Sequence, residues 1–231
     1  GVNDNMKLVI ILGQNHKGST YHIARMLAEK IKGDIKEFFL PRDFGEFCVG
    51  CTKCFMESEK KCPHYEKLRP LTDAMDEADV IILASPVYVY HVTGAMKTFL
   101  DHYGYRWMVH RPQGSMFRKQ GVCISTAAGA GMKPTNKDMV DSLFFWGVAK
   151  RYQYGVRVAA VNWNGVSEKK KCAIDKATSG IAKKIVNNSK HVKPGIKTRA
   201  MFWAMHFAQR KGFNPCDAEY WKSKSWTGKK R

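Results

Sequence analysis

The chain has 231 residues, 44% of them hydrophobic, enough for one large domain with a substantial core and an extension. No apolar run approaches the roughly 20 residues that span a bilayer, and none is laid out as a signal peptide, so no membrane span is expected. The formal charge is +19, with eleven Lys or Arg between Lys190 and Arg231 against only Asp217 and Glu219. No recognition-helix, zinc-finger or RNA-binding signature accompanies that charge, so no specific nucleic-acid partner is expected, only non-specific attraction for anions.

Leu8–Leu12 is a short, branched apolar run and predicts a central parallel strand covered on both faces. Gly13 stops it, a polar loop follows, and a helix starts at Ser19 or Thr20, with Ile23, Met26, Leu27 and Ile31 at helical spacing and Gly33 as its close. Asp34–Leu40 predicts a second strand ended by Pro41. Residues 42–68 read as irregular, followed by a short helix over Leu71–Asp76. Val80–Ala84 predicts a third strand, ending at Ser85-Pro86, and Gly94–Tyr103 a helix in which Lys97 and Asp101 form a surface pair. Gly121–Thr126 predicts a fourth strand running into a glycine-rich loop, with Thr135 capping the next helix. Val156–Val161 predicts a fifth strand, and Ile174, Thr178, Ile181 and Ile185 mark another helix. This alternation predicts a parallel sheet with helices on both faces. Asn187–Lys197 is a polar joint. Beyond it Ala200–Ala208 predicts a helix that is apolar nearly all round, then an aromatic-basic tail. The expected division is therefore residues 1–188 as the α/β domain and 189–231 as a C-terminal helical extension.

In open α/β sheets, ligands sit beyond the carboxyl ends of the strands. Three loops of unusual composition fall there: 13–20, 85–93 and 126–132. The first joins a strand to a helix N-terminus, whose free N–H groups and dipole suit a phosphate. The second offers aromatic and backbone surface for a flat ring. The third has Gly129 and Gly131, which allow close backbone approach. A mononucleotide with a planar ring fits all three.

GQNHKGST, SPVYVYHVTGAMKTFLDH and STAAGAG resemble the three flavin loops of the flavodoxin-like NAD(P)H-dependent FMN reductase family, over about residues 6–186. The resemblance implies a flavodoxin-like, five-stranded parallel sheet. It implies an FMN-dependent enzyme that takes a hydride from NAD(P)H and passes electrons to a small acceptor such as a quinone or free flavin. Carried over by motif, the FMN phosphate falls to Gln14, His16, Lys17, Gly18, Ser19 and Thr20. The ring lies along Pro86, Val87, Tyr88 and Val89, and the ring edge along Ala127, Ala128 and Gly129. Gln14 and His16 stand where the family often has Ser and Arg, and His102 stands where an Arg is usual. A homodimer is also implied, with the 198–231 segment lying over the neighbouring subunit.

Seven cysteines without a secretion signal suggest free or metal-bound thiols in a reducing, cytoplasmic setting. Cys48, Cys51, Cys54 and Cys62 are spaced to wrap one centre. A [4Fe–4S] cluster, a tetrahedral zinc ion and free thiols all satisfy that spacing. The spacing also resembles the cluster motif of iron-sulfur flavoproteins, which implies the alternative of an electron carrier. His64 is a spare ligand that is expected to be solvated, Cys123 is expected to be buried and inert, and Cys172 and Cys216 show no partner.

Overall fold

A computed structural model describes residues 5–228; the first four residues and Lys229–Arg231 of the basic tail lie outside it. Its centre is a five-stranded, all-parallel sheet in the order β2-β1-β3-β4-β5, the flavodoxin-like order, with the strand sequence reversing between β1 and β3. The strands are β1 (Met6–Leu12), β2 (Gly33–Phe39), β3 (Val80–Pro86), β4 (Gln120–Ala127) and β5 (Lys150–Arg157). β1, β3 and β4 are flanked on both sides, which is why their sequences are nearly continuous apolar runs.

The two-residue period of the strands divides the core into two layers. Val9, Ile11, Ile81, Leu83 and Cys123 face α3 (Tyr65–Glu77), α4 (Gly94–Asp101) and α5 (Met132–Phe145), against Leu71, Met96, Phe99, Met139 and Leu143. Leu8, Ile10, Ile82, Val122 and Ile124 face α1 (Ser19–Ile31) and α6 (Glu168–Asn188), against Ile23, Leu27, Ile174 and Ile185. Cys123 is fully buried in the first layer, and burial pushes its thiol pKa far above the ordinary range.

Several element boundaries differ from the sequence expectation, each for a local reason. α1 ends at Lys32, which takes the left-handed conformation (φ 62°), and Gly33 opens β2 instead. A Cβ on Gly33 would lie 2.0 Å from the Met6 carbonyl oxygen, so glycine is needed there for strand approach. α5 starts after Gly131 (φ 99°), and Thr135 lies inside its first turn, donating to the Gly131 carbonyl at 2.9 Å. The fifth strand, expected over Val156–Val161, runs instead over Lys150–Arg157 and takes in only the first two residues of the apolar VRVAAV run. β5 is an edge strand, half exposed, so its polar and apolar residues intermix and the buried-strand criterion overlooks it.

The segment between β2 and β3 is less irregular than expected. It contains the single-turn α2 (Lys53–Met56), and α3 begins at Tyr65, well before Leu71. At the C-terminal end α7 (Ile196–Arg210) buries Thr198, His206 and Gln209, while Ile196 and Phe207 remain exposed. The aromatic-basic tail folds into α8 (Pro215–Ser223), started by Pro215 and by the Asn214 side chain, which accepts from the Cys216 N–H at 3.0 Å. Trp221 of α8 is fully buried and stacks on Phe202 of α7 with 5.0 Å between ring centroids. No helix among the described residues is long and apolar enough to cross a membrane.

Candidate functional site

The carboxyl ends of β1, β3 and β4 bring the three expected loops to one edge, at the strand-order reversal. The first loop is anchored below by the Gly13 N–H, which donates to the Ala84 carbonyl at 2.7 Å. Its tip is open: His16 and Lys17 are exposed, and Gln14 and Gly18 are half-buried. Gln14 Nε2 and His16 Nε2 lie 2.8 Å apart, and Gly18 sits directly beneath them. A side chain on Gly18 would come within 3.0 Å of both, so glycine keeps the loop tight.

α1 has no side-chain cap and no acidic residue in its first turn. Gly18, rather than Ser19 or Thr20, occupies the N-cap position. The first N–H groups and the positive end of the dipole are thus left for an anion. Thr20 turns inward instead, and its Oγ1 meets Thr126 Oγ1 of β4 at 2.7 Å, fastening the first loop to the base of the third.

The second loop is a tight hairpin. Tyr88 and His91 exchange backbone hydrogen bonds of 2.9 and 3.1 Å around Val89 and Tyr90, which have φ of 49° and 68°. Two consecutive positive-φ residues with large side chains are a costly arrangement, and Val89 (95%) and Tyr90 (62%) are also exposed. The loop is over-determined from below. Thr93 Oγ1 donates to the Gly13 carbonyl at 2.5 Å and accepts from the Met96 N–H at 3.0 Å, so it caps α4 and ties the first loop to the second. Ser85 Oγ accepts from the Thr93 N–H at 3.1 Å. Asp138 of α5 receives His91 Nδ1 at 2.9 Å and the Val92 N–H at 3.2 Å. Thr93 stands where an N-cap residue belongs before a helix, a signal legible in the chain; nothing local marks Asp138 as a partner.

In the third loop, Ala127 is buried while Ala128 and Gly129 are exposed, and a Cβ on Gly129 would meet nothing within 4 Å. Arg157 Nε holds the Ala128 carbonyl at 3.0 Å. A Cβ on Gly131 would lie 2.6 Å from Val87 Cγ1, so the second and third loops are in contact. Gln14 and Tyr88 also meet across the first and second loops, with Tyr88 Oη 3.4 Å from Gln14 Oε1. These features fit a flavin mononucleotide: uncapped N–H groups and Lys17 for the phosphate, exposed hairpin backbone and aromatic surface for the ring, and an open glycine at its edge. Pro86, Val87, Tyr88 and Val89 lie together with Gln14–Thr20 and Ala127–Gly129 on this edge.

Cys48, Cys51, Cys54 and Cys62 line one small cavity of about 70 Å³, together with His64, Asp101 and His102. Burial, followed by the neighbouring thiols of Cys62, Cys48 and Cys51, pushes the Cys54 pKa up to about 11. His64 is not the solvated residue expected from its loop position: its Nδ1 lies 2.9 Å from Nε2 of the buried His102. His102 Nδ1 lies 2.8 Å from the Thr98 carbonyl, and burial lowers the His102 pKa below its ordinary value. Cys216 also has a partner, donating to the Met56 carbonyl at 2.8 Å.

That last contact belongs to a clamp. Arg111 donates to the carbonyls of Cys54 and, at 3.2 Å, of Phe55; Asn214 donates to the Phe55 carbonyl at 3.1 Å. Asp217 of α8, 1% exposed, holds Arg111 at 2.7 Å and His110 at 2.7 Å. The C-terminal segment thereby fixes the backbone of the cysteine loop from behind, a role no local sequence signal announces.

Two curated relatives frame the chemistry. An iron-sulfur flavoprotein of Archaeoglobus fulgidus is 33% identical over 135 residues, 54% of this chain and 56% of that protein. An NADPH azoreductase of Bacillus sp. (strain OY1-2) is 31% identical over 130 residues, 54% of this chain and 61% of that protein. The chain thus spans little more than half the length of these two curated relatives. Among solved structures, an NADH:FMN oxidoreductase in its apo form superposes with a TM-score of 0.56 at 18% identity, covering 83% of this chain and 96% of that one. A flavone reductase gives 0.58 at 17% identity, covering 82% and 66%. These structural likenesses establish the flavodoxin-like fold. Residues 6–159, which contain all three loops, match the family model described as NADPH-dependent FMN reductase, and the chain belongs to that family.

Proposed function

We propose that this protein is an FMN-dependent NAD(P)H oxidoreductase that delivers electrons to a small acceptor such as a quinone, an azo compound or a free flavin. The observation that carries this reading is the meeting of three braced loops, one of them leading into an uncapped helix N-terminus, at the strand-order reversal. Bound FMN would supply the chemistry, accepting a hydride from the nicotinamide and releasing electrons to the acceptor. The protein supplies position and field. Gln14, His16, Lys17, Gly18 and Ser19 hold the phosphate, Thr20 adding only its backbone N–H because its hydroxyl is engaged with Thr126, with the α1 dipole and the Lys17 ammonium balancing the charge. Pro86, Val87, Tyr88 and Val89 lie along the ring, and Ala127, Ala128 and Gly129 border its edge. Tyr88, Tyr90 and His91 shape the space from which nicotinamide and acceptor approach. The chain acts as a homodimer in this reading, and a second copy would cover the exposed Ile196, Phe207 and Phe213. Residues 1–188 form the flavin domain and 189–231 an accessory unit that braces the cysteine loop.

Anaerobic mixing of FMN-loaded protein with NADPH and, separately, NADH tests the reading. Loss of the flavin absorbance with at least one of them is expected; an unchanged spectrum with both overturns it.

A second reading adds electron relay through a [4Fe–4S] cluster on Cys48, Cys51, Cys54 and Cys62. It is favoured by the four thiols lining one cavity and by the backbone clamp behind them. About four iron and four acid-labile sulfide per chain after anaerobic reconstitution would support it; a chain that takes up FMN but no sulfide would remove it.

A further inference from the structure

We infer that Cys62, His64 and His102 form a mononuclear transition-metal site of the zinc class, which shares Cys62 with the four-cysteine set but does not depend on a cluster there. The ligand atoms of these three residues lie within 4.8 Å of one another. Among the described residues no three of the four cysteine thiols meet within that distance. A single zinc ion at tetrahedral geometry holds two sulfurs about 3.8 Å apart and two nitrogens about 3.4 Å apart. The thiols would have to contract around a lone ion. The two imidazole nitrogens, 2.9 Å apart, need only open slightly.

The protonation pattern favours the same site. A carbonyl oxygen only accepts, so the 2.8 Å contact to Thr98 makes His102 Nδ1 the N–H donor. Its Nε2 therefore presents a lone pair, and His64 Nδ1 donates to it across 2.9 Å. A histidine whose far nitrogen is fastened to a backbone carbonyl while the near lone pair faces other ligands is the usual outer arrangement of a metal-bound imidazole. Phe44 packs edge-on against the His102 ring at 4.8 Å and holds its plane. On metal entry the His64 proton moves from Nδ1 to Nε2, Cys62 loses its thiol proton to solvent, and the cation takes the place of the shared hydrogen. One thiolate and two imidazoles suit Zn²⁺ or Co²⁺ and disfavour Mg²⁺ and Ca²⁺; the fourth corner stays open to solvent.

The test uses the full chain, freed of iron and sulfide, titrated anaerobically with Co²⁺ as a spectroscopic probe. One equivalent is expected, with tetrahedral d–d bands and a sulfur-to-cobalt charge-transfer band. Cys62→Ala should abolish the charge-transfer band, His64→Ala should weaken Co²⁺ at least tenfold, and Cys48→Ala and Cys51→Ala should leave both readouts unchanged. Co²⁺ affinity that His64→Ala leaves within threefold, or uptake that is lost in Cys48→Ala or Cys51→Ala, overturns the proposal in favour of a thiol-only site. Iron and sulfide reconstitution of the same variants reads the cluster separately, because the cluster needs Cys48 and Cys51 and is indifferent to His64.

Discussion

The strand-end edge and the cysteine loop make two candidate redox sites by opposite means. At the strand-end edge, backbone does most of the work: strand ends, one uncapped helix, a hairpin and two glycines present N–H groups and surface, and the side chains that matter, Thr93 and Thr20, act as fasteners. At the cysteine loop the backbone has little regular structure, and side chains from distant parts of the chain hold it, Arg111 and Asn214 directly and Asp217 through Arg111. The first kind of site is a by-product of a parallel sheet; the second exists only where long-range partners arrive.

That contrast is most sharply tested at Asp217. Asp217→Ala leaves Arg111 buried without its counter-charge, a loss of about 3–5 kcal/mol for a broken buried ion pair. Denaturant unfolding should show that loss, and the thiols of Cys48, Cys51 and Cys54 should label faster, while the FMN dissociation constant of the surviving folded protein stays within twofold. Coupled loss of flavin affinity would mean the two regions are one mechanical unit. Next in size, Thr93→Val removes the α4 cap and the tie to Gly13, at about 1–2 kcal/mol. Isothermal titration should show weaker FMN with unchanged thiol labelling, the mirror of Asp217→Ala.

Gly131→Ala places a Cβ at φ 99° and against Val87, and should cost about 1–2 kcal/mol and raise the FMN dissociation constant severalfold. Ser19→Ala is smaller in stability, within about 0.5 kcal/mol, because Ser19 is not the helix cap. Its effect should appear in FMN affinity alone; unchanged affinity would remove Ser19 from the phosphate site. Lys97→Ala breaks an exposed helix pair and should shift stability by no more than about 0.5 kcal/mol by thermal melting, with neither site affected.

Much of the strand-end site was legible because strand, loop and helix start are encoded within single short stretches. The runs Leu8–Leu12, Val80–Ala84 and Gly121–Thr126 each carry their own burial pattern, and the loops that follow carry their own glycines and hydroxyls. Where local coding is ambiguous, it misled. β5 is an edge strand whose mixed polarity hides it, and Gly33 reads as a helix stop although its reason is the Met6 carbonyl across the sheet.

By itself, then, the sequence determined the alternation of strands and helices, the loops that fall at strand ends, and the thiol set available to a metal, since each follows from the chemistry of neighbouring residues. Only the tertiary structure decided that Thr93 grips Gly13, that Asp138 holds the second loop, that α8 clamps the cysteines and that His64 meets His102. Those contacts join residues 38 to 159 positions apart in the chain. No local propensity specifies such pairs; they form because folding the core brings their elements together, and burial then makes an unpartnered polar group too costly to leave.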